Sequence, residues 1–343
     1  MTDAAGGSRV LVVGLGGTIA MAGAGGVVPS LSARQLVDAV PGLDAGGLAV
    51  RSLRNRPGAS LTLDDLAAVL RLIEEQDPLG TVVIQGTDTI EETAYVLDLL
   101  HPGPRPIVVT GAMRNPTLAG ADGPANILAA VRVAADPAAR DLGCLVVLAD
   151  EIHAAARVRK LHTMSVAAFA SPVGGPLGYL AEGRVRIVQR PVGRCALPPL
   201  PDGFATPRVG LCTATLGDDG ALLPDLAARL DGLVVAGFGV GHVPDTWPPP
   251  LAEIATRIPV VLASRIGAGF TATETYGFPG SERDLRDRGL IPAGRLDPHK
   301  SRLLLQLALI HGASRPELAA AFAVAGGLDP ERPWPWPSAG ELR

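Results

Sequence analysis

The strongest constraint on the fold is a regular alternation of short apolar runs with longer segments of helical periodicity. Runs rich in Val, Ile and Leu predict strands at residues 9–13, 48–53, 81–85, 106–110 and 144–148. Apolar spacing predicts helices between them, at residues 32–40, 62–75, 90–100 and 124–135. Strands that are apolar along their whole length and alternate with helices are typical of parallel sheets covered on both faces. The first half of the chain is therefore predicted to be an α/β domain.

The same alternation resumes after a proline-rich stretch. It predicts strands at 208–213, 233–237 and 259–264, and helices at 251–257, 299–311 and 315–324. The stretch itself has prolines at 191, 198, 199, 201 and 207, and proline removes backbone donors and stiffens a chain. Because 343 residues exceed what one core usually serves, we predict two domains. Their ranges are 1–190 and 208–343, joined by a linker at 191–207, and the second is the smaller α/β unit.

Charge and cysteine usage exclude several classes of protein. A formal net charge of -4 provides no basic field for nucleic acid or for an anionic membrane surface. Cys144, Cys195 and Cys212 are too far apart for a CxxC motif, and no histidine spacing predicts a metal site. The first eight residues do not form a signal-peptide pattern, and no apolar run reaches the roughly 18 residues of a membrane span. We therefore expect a cytoplasmic protein.

Open parallel sheets bind ligands beyond the carboxyl ends of their strands, so the loops at 14–26, 86–89, 111–123 and 149–162 are the candidate site. The first of these contains GGTIA at 16–20. A dinucleotide fingerprint would need glycine at Ile19, which disfavours a nucleotide-binding dehydrogenase. Two interpretations remain. Thr18 caps a helix after a glycine turn, or it is a nucleophile beside backbone N–H groups that stabilise an oxyanion.

The loop after the third predicted strand reads GTDTIEET at 86–93. Thr89 and Glu92 match a capping box, which accounts for part of the run in structural terms. A cap does not require Thr87 and Asp88 as well. A hydroxyl and a carboxylate at a helix start are suited to holding an ammonium group and a water molecule.

Lys160 is one of two lysines in the chain, the other being Lys300, whereas arginine supplies the rest of the positive charge. Its segment, ARVRKLH at 156–162, is read most simply as a solvated basic surface. The alternative is that lysine is needed here as an acid or base, a role that arginine does not fill.

Taken together, the loops resemble those of the bacterial-type asparaginase and glutaminase family. The similar stretches are GGTIA at 16–20, GTDTIEETAY at 86–95, TGAMR at 110–114, ADGPAN at 121–126, GPLGY at 175–179 and LLLQLAL at 303–309. They cover nearly the whole chain in the family's order. The resemblance implies a flavodoxin-like N-terminal domain and a homodimer or homotetramer, in which each active site is shared between subunits.

The resemblance also implies a reaction, the hydrolysis of L-asparagine to L-aspartate and ammonia without a cofactor. Thr18 matches the family's nucleophile, which forms an acyl-enzyme, and Thr87, Asp88 and Lys160 match its second catalytic group. Asp88 would also bind the α-ammonium group of the substrate. The substrate-binding positions are Gly17, Ser60, Gly86, Ala112 and Glu274.

The sequence departs from the family at several positions that surround the substrate. The family's loop tyrosine is absent from residues 21–28, and Gly58 falls where the family has a carboxylate-binding serine, which makes Ser60 a shifted substitute. His242 stands in place of an asparagine. The carboxylate contributed by the partner subunit maps to Glu274 with a gap and to Tyr276 without one, and Tyr276 could replace the missing phenol.

Three functions therefore stay open. The first is an asparaginase, and the second is a related amidase acting on glutamine or another small ω-amide. The third is a weakly active amino-acid sensor, which would need neither two threonine hydroxyls nor a lysine.

Overall fold

The computed structural model of the chain describes residues 9–17, 19, 21–22, 28–29 and 31–337, so Thr18 lies outside the described residues. Two units divide between Arg194 and Cys195. This division falls inside the proline-rich segment at 191–207, whose role as a linker stays a prediction.

The strands of the first unit are β1 (Val10–Gly14), β2 (Met21–Ala22), β3 (Val28–Pro29), β4 (Leu48–Ser52), β5 (Gly80–Ile84), β6 (Ile107–Thr110), β7 (Cys144–Leu148), β8 (Glu151–Ala154), β9 (Arg159–Lys160), β10 (Phe169–Ala170), β11 (Gly178–Ala181) and β12 (Arg184–Ile187). Its helices are α1 (Ala33–Asp38), α2 (Leu63–Gln76), α3 (Ile90–Leu100) and α4 (Gly123–Ala135).

The main sheet of this unit has the order β12-β11-β8-β7-β6-β5-β1-β4. The five strands from β4 to β7 are parallel, and their order in space is the flavodoxin order. β8, β11 and β12 extend the sheet with antiparallel pairing. The predicted α/β fold with a parallel, flavodoxin-like sheet is therefore confirmed.

Burial on both faces explains why the parallel strands are apolar throughout. Every residue of β1, β5, β6 and β7 is buried. On one face, Val37 of α1 and Ile127 of α4 join Val12, Val82 and Val108 in a single core cluster. A strand that is buried on both sides has no polar face to alternate with the apolar one.

The prediction of an irregular loop at 149–162 is wrong in part, since this range contains β8 and β9. Ala149 and Asp150 both have positive φ, at 49° and 62°, and this turn folds β8 back along β7. A two-residue hairpin turn of this kind usually carries Asn-Gly or Asp-Gly. Ala-Asp does not indicate such a turn, so the sequence did not predict the hairpin.

The second unit is a smaller parallel α/β unit. Its strands are β13 (Val209–Thr213), β14 (Gly232–Gly237), β15 (Val260–Ser264) and β16 (Ile291–Pro292), paired in that order. Its helices are α5 (Leu223–Ala227), α6 (Pro248–Arg257), α7 (Glu282–Asp287), α8 (Pro298–Ile310) and α9 (Arg315–Ala325). Trp247, Leu251 and Leu262 lie in its core. The short elements α5, α7 and β16 were not predicted, because they are too short to show a clear period.

Within the described ranges, none of the helices combines the length and the apolar character that a membrane crossing requires.

His153 on β8 is fully buried and titrates far from its ordinary range. Its Nδ1 atom lies 3.0 Å from the hydroxyl of Ser171, and Nε2 lies 3.2 Å from a carboxylate oxygen of Glu151. Burial lowers the pKa of His153 from 6.5 to about 4. The partly exposed Glu151 carboxylate does not offset this, since solvent screens its charge.

We expect the free energy of unfolding to fall between pH 6.5 and 4 because of His153. A histidine whose pKa is lowered by folding stabilises the protein above its unfolded pKa, and that contribution is lost as the unfolded chain takes up the proton. The loss between pH 7 and 4.5 is about 2 kcal/mol, at 1.36 kcal/mol per pKa unit. Urea unfolding at both pH values should show a smaller loss in His153→Leu. Equal losses in the variant and the natural chain would contradict this interpretation.

Candidate active site

Four loops meet at the carboxyl end of the parallel sheet, and each contains a glycine at the point of contact. A Cβ atom on Gly17 would lie 2.0 Å from the Gly86 nitrogen, and one on Gly58 would lie 2.9 Å from the Gly86 carbonyl oxygen. A Cβ on Gly111 would lie 2.6 Å from the carbonyl oxygen of Gln85. The loops after β1, β4, β5 and β6 therefore pack backbone against backbone, which only glycine permits.

The loop after β5 places Thr87 and Asp88 in different surroundings. Thr87 to Thr89 form one turn of 3₁₀ helix that leads directly into α3. Thr87 is buried, whereas the side chain of Asp88 is 63% exposed. The hydroxyl is thus enclosed by protein, and the carboxylate beside it is open to a ligand.

The predicted capping box of Thr89 with Glu92 is wrong. Thr89 makes no capping hydrogen bond to α3. Its hydroxyl donates to the carbonyl oxygen of Gly58 at 3.0 Å and accepts from the side-chain amide of Gln85 at 3.2 Å. The preceding 3₁₀ turn starts the helix, which frees Thr89 to tie the loop after β4 to the loop after β5.

Lys160 reaches the pair from a distant part of the chain. Its Nζ lies 2.9 Å from Thr87 Oγ1 and 3.5 Å from Asp88 Oδ1. Lys160 is on β9, which pairs with β10 in a two-stranded ribbon separate from the main sheet. The structure therefore brings together three of the four predicted catalytic side chains, Thr87, Asp88 and Lys160.

This arrangement can polarise a hydroxyl group. An ammonium group that donates to a threonine oxygen uses one lone pair of that oxygen, and the hydroxyl hydrogen then faces another acceptor. A neighbouring carboxylate can also bind a ligand cation. Within the described part of the chain, no three His, Cys, Asp or Glu side chains converge as metal ligands would.

The predicted substrate-binding positions differ in their exposure. Ser60 is exposed, in the 3₁₀ turn Gly58–Ser60, whereas Ala112 is buried just after β6. Glu274 belongs to the second unit, where its side chain is 84% exposed and its Oε1 is 3.8 Å from Arg286 Nη1. Gly17 and Gly86 are the contacting glycines described above.

Sequence reasoning missed two residues that hold the site loops. Glu91, in the first turn of α3, accepts a hydrogen bond from the backbone N–H of Lys160 at 3.3 Å. Asn126 of α4 donates to the carbonyl oxygen of Gly111 and accepts from the N–H of Ala149, both at 3.0 Å. A signal existed for Asn126, since it is a lone polar residue on the buried face of an apolar helix.

Both units match family models, and the chain has relatives along its length. Residues 9–193 match the model for Asparaginase, N-terminal, and residues 208–322 match the Glutaminase/Asparaginase C-terminal domain. A probable L-asparaginase from Deinococcus radiodurans is 36% identical over 326 residues, which cover 92% of this chain and 97% of that protein. A glutaminase-asparaginase from Pseudomonas aeruginosa is 31% identical over 339 residues, covering 92% and 90% respectively.

A solved structure agrees with these sequence matches. The crystal structure of a probable cytoplasmic L-asparaginase from Campylobacter jejuni is similar with a TM-score of 0.82 and 29% sequence identity. The similarity covers 92% of this chain and 99% of that one.

The contact of Gly17 with Gly86 should be intolerant of a single methyl group. Gly17→Ala places a Cβ within 2.0 Å of a backbone nitrogen at a φ of +91°, so we expect the free energy of unfolding to fall by about 3 kcal/mol or more. Gly42→Ala is the matched control, because its φ is +76° with no atom within 4 Å, and it should cost about 1 kcal/mol. Urea unfolding measures both. Similar losses in the two variants would show that the loops do not depend on this contact.

Proposed function

Because the chain belongs to the asparaginase and glutaminase family of hydrolases that act on linear amides, we propose that it hydrolyses L-asparagine to L-aspartate and ammonia through a threonine nucleophile. The observation that carries the proposal is the 2.9 Å contact between Lys160 Nζ and Thr87 Oγ1 beside Asp88. Ligand binding alone needs no lysine directed at a threonine hydroxyl. Polarisation of a reacting hydroxyl or water does use a contact of this kind.

In the proposed reaction, the Thr18 hydroxyl attacks the carbon of the substrate's side-chain amide. The C–N bond then breaks, the amide nitrogen leaves as ammonia with the proton from the hydroxyl, and an ester links Thr18 to the aspartyl group. A water molecule hydrolyses this ester, releases aspartate and restores the hydroxyl. The preceding glycines, Gly16 and Gly17, have φ of 101° and 91°, and in this proposal their backbone N–H groups stabilise the oxyanion that forms.

Thr87, Asp88 and Lys160 form the second catalytic group in this proposal. Lys160 and Asp88 polarise the Thr87 hydroxyl and, through it, a water molecule. The exposed carboxylate of Asp88 also binds the substrate's α-ammonium group. The adjacent ammonium group of Lys160 repels that cation and so keeps it at a distance.

Gly17, Gly86, Ser60 and Ala112 would line the rest of the substrate position in the first unit. Glu274 would come from a second copy of the chain, so the proposed enzyme is a homodimer or homotetramer. We place it in the cytoplasm and assign it no cofactor.

A second candidate substrate is glutamine or another small ω-amide. Gly58 provides no hydroxyl where the family has a carboxylate-binding serine, and its tight packing on Gly86 leaves no room for one without a shift. Ammonia release from asparagine, glutamine and other small ω-amides, compared by kcat/KM, would identify the substrate. Absence of release from all of them, with retained binding of an amino acid, would instead support a sensor.

Loss of either threonine hydroxyl should remove most of the activity. We expect Thr18→Ala and Thr87→Ala each to lower kcat by about 10³-fold or more, since each removes a group that acts on the reacting atoms. Deleting one hydroxyl should cost only about 1–2 kcal/mol of stability. Thr256→Ala, which removes an exposed hydroxyl on α6, is the control and should keep full turnover. Near-normal turnover in Thr18→Ala would refute the nucleophile assignment.

Lys160 should be irreplaceable by arginine. Lys160→Arg keeps the positive charge and Lys160→Met removes it, yet both remove a group able to give up and regain a proton. We therefore expect both variants to lose about 10²-fold or more in kcat for ammonia release, by similar factors. Substantial activity in Lys160→Arg alone would show that Lys160 acts only through its charge.

A further inference from the structure

In the second unit, the segment from Thr271 to Ser281 is the last part of the connection between β15 and α7, and its backbone is hydrogen-bonded at both ends. The N–H of Thr271 donates to Gly294 O at 3.0 Å, and the N–H of Ala272 donates to Val240 O at 2.9 Å. Near the other end, the carbonyl oxygen of Gly280 accepts from Val243 at 2.9 Å. The segment is therefore held at both ends by the backbone of neighbouring loops.

The middle of the same segment presents two polar side chains to solvent. The side chain of Glu274 is 84% exposed, and Tyr276 is 44% exposed. A loop with a fixed backbone and exposed polar side chains holds those side chains in defined directions, as functional loops do.

Glu282, in the first turn of α7, holds the backbone at that point. It is 1% exposed, and its Oε1 accepts from the N–H of Thr275 at 2.9 Å and from the N–H of Tyr276 at 2.8 Å. The hydroxyl of Ser281 donates to the carbonyl oxygen of Tyr276 at 2.9 Å. Residue 276 is therefore held by both its N–H and its C=O.

The other oxygen of the same carboxylate orients an aromatic cluster. Glu282 Oε2 lies 3.1 Å from His242 Nε2. The imidazole meets Tyr276 and Phe278 edge to face, with ring centroids 4.8 and 5.0 Å apart. Burial acts to raise the pKa of Glu282, but hydrogen bonds from Tyr276, its own N–H, Thr275 and His242 outweigh burial, so the pKa is lowered and the group is ionised.

We propose that Glu282 is a positioning residue for amide hydrolysis, holding the peptide units of Thr275 and Tyr276 so that the side chains of Glu274 and Tyr276 keep fixed directions. The proposal rests on the proposed function, in which Glu274 comes to the substrate site from a second copy of the chain, and Tyr276 is the alternative that the family resemblance gives for the same role. A buried charge is a costly way to stabilise a loop, because an apolar substitute is often as stable. The carboxylate differs from an apolar side chain in that it fixes a direction, because two adjacent N–H groups converge on one of its oxygen atoms.

Three variants separate positioning from general stability. Glu282→Ala removes the acceptor of both N–H groups, whereas Glu282→Gln keeps an oxygen at that place. Asp284→Ala is the matched control on the same helix, because the hydrogen bonds described for the Asp284 carboxylate come from the N–H of Gly280 and from Arg288, both at 2.9 Å, and not from residues 274–276. The readouts are kcat and KM for asparagine and the hydrogen exchange of the Thr275 and Tyr276 amides.

We expect Glu282→Ala to lower kcat/KM by about 10²-fold, a loss that a displacement of about 1 Å at a reacting site can cause. The amides of residues 275 and 276 should also lose their protection from hydrogen exchange in this variant. Glu282→Gln should keep that protection, because the amide oxygen still accepts from both N–H groups. Its kcat/KM should stay within about tenfold of that of the unsubstituted chain, because the substitution changes one hydrogen bond, the one to His242. Asp284→Ala should keep both properties, even if its stability falls as much as that of Glu282→Ala.

Two results would overturn the proposal. One is a kcat/KM in Glu282→Ala equal to that of the unsubstituted chain. The other is a loss of kcat/KM in Asp284→Ala as large as the loss in Glu282→Ala, which would indicate destabilisation alone. If Glu282→Ala does not fold, Glu282→Asp replaces it, because the shorter side chain withdraws the carboxylate and should show the same two losses. A natural chain inactive on every amide would refute the proposed function itself, an outcome distinct from an active chain that tolerates these substitutions.

Discussion

The contact between the backbones of Gly17 and Gly86 is the constraint on which the rest of the site depends. Strands β1 and β5 are neighbours in the parallel sheet, so the loops that follow them emerge side by side. A Cβ on Gly17 would lie 2.0 Å from the Gly86 nitrogen, so any side chain at position 17 would force the two loops apart. Thr87 follows Gly86 directly, and its place beside the first loop is therefore a result of two missing side chains.

Most of the fold could be predicted from the sequence, because burial on both faces makes the parallel strands apolar along their length. The predicted ranges of α3 and β7 agree with the structure, and the other predicted strands differ by one residue at one or both ends. The hairpin of β7 and β8 was missed, since its turn uses left-handed Ala149 and Asp150 instead of glycine. Turn conformation here depends on the pairing of the strands it joins, and local sequence does not record that pairing.

The candidate site was predictable only where its residues are adjacent in sequence. Thr87 and Asp88 are consecutive, and the glycine before them marks the loop. Lys160 lies 73 residues beyond Thr87. It was selected for two reasons, the rarity of lysine in this chain and the family resemblance. The hydrogen bond from Lys160 to Glu91 could not have been predicted, because an acidic residue in the first turn of a helix is usually explained by the helix dipole.

Glu91 and Glu282 use the same physical device in separate units. Each lies in the first turn of a helix, is almost completely buried, and accepts hydrogen bonds from the backbone N–H groups of a neighbouring segment. Such a hydrogen bond holds the peptide unit and does not depend on which side chain that residue carries. The side chain at 276 can therefore change without loss of the two hydrogen bonds that hold its peptide unit. The position of the backbone and the chemistry of the side chain are thus separate properties at residue 276, which is why a substitution there is compatible with an intact fold.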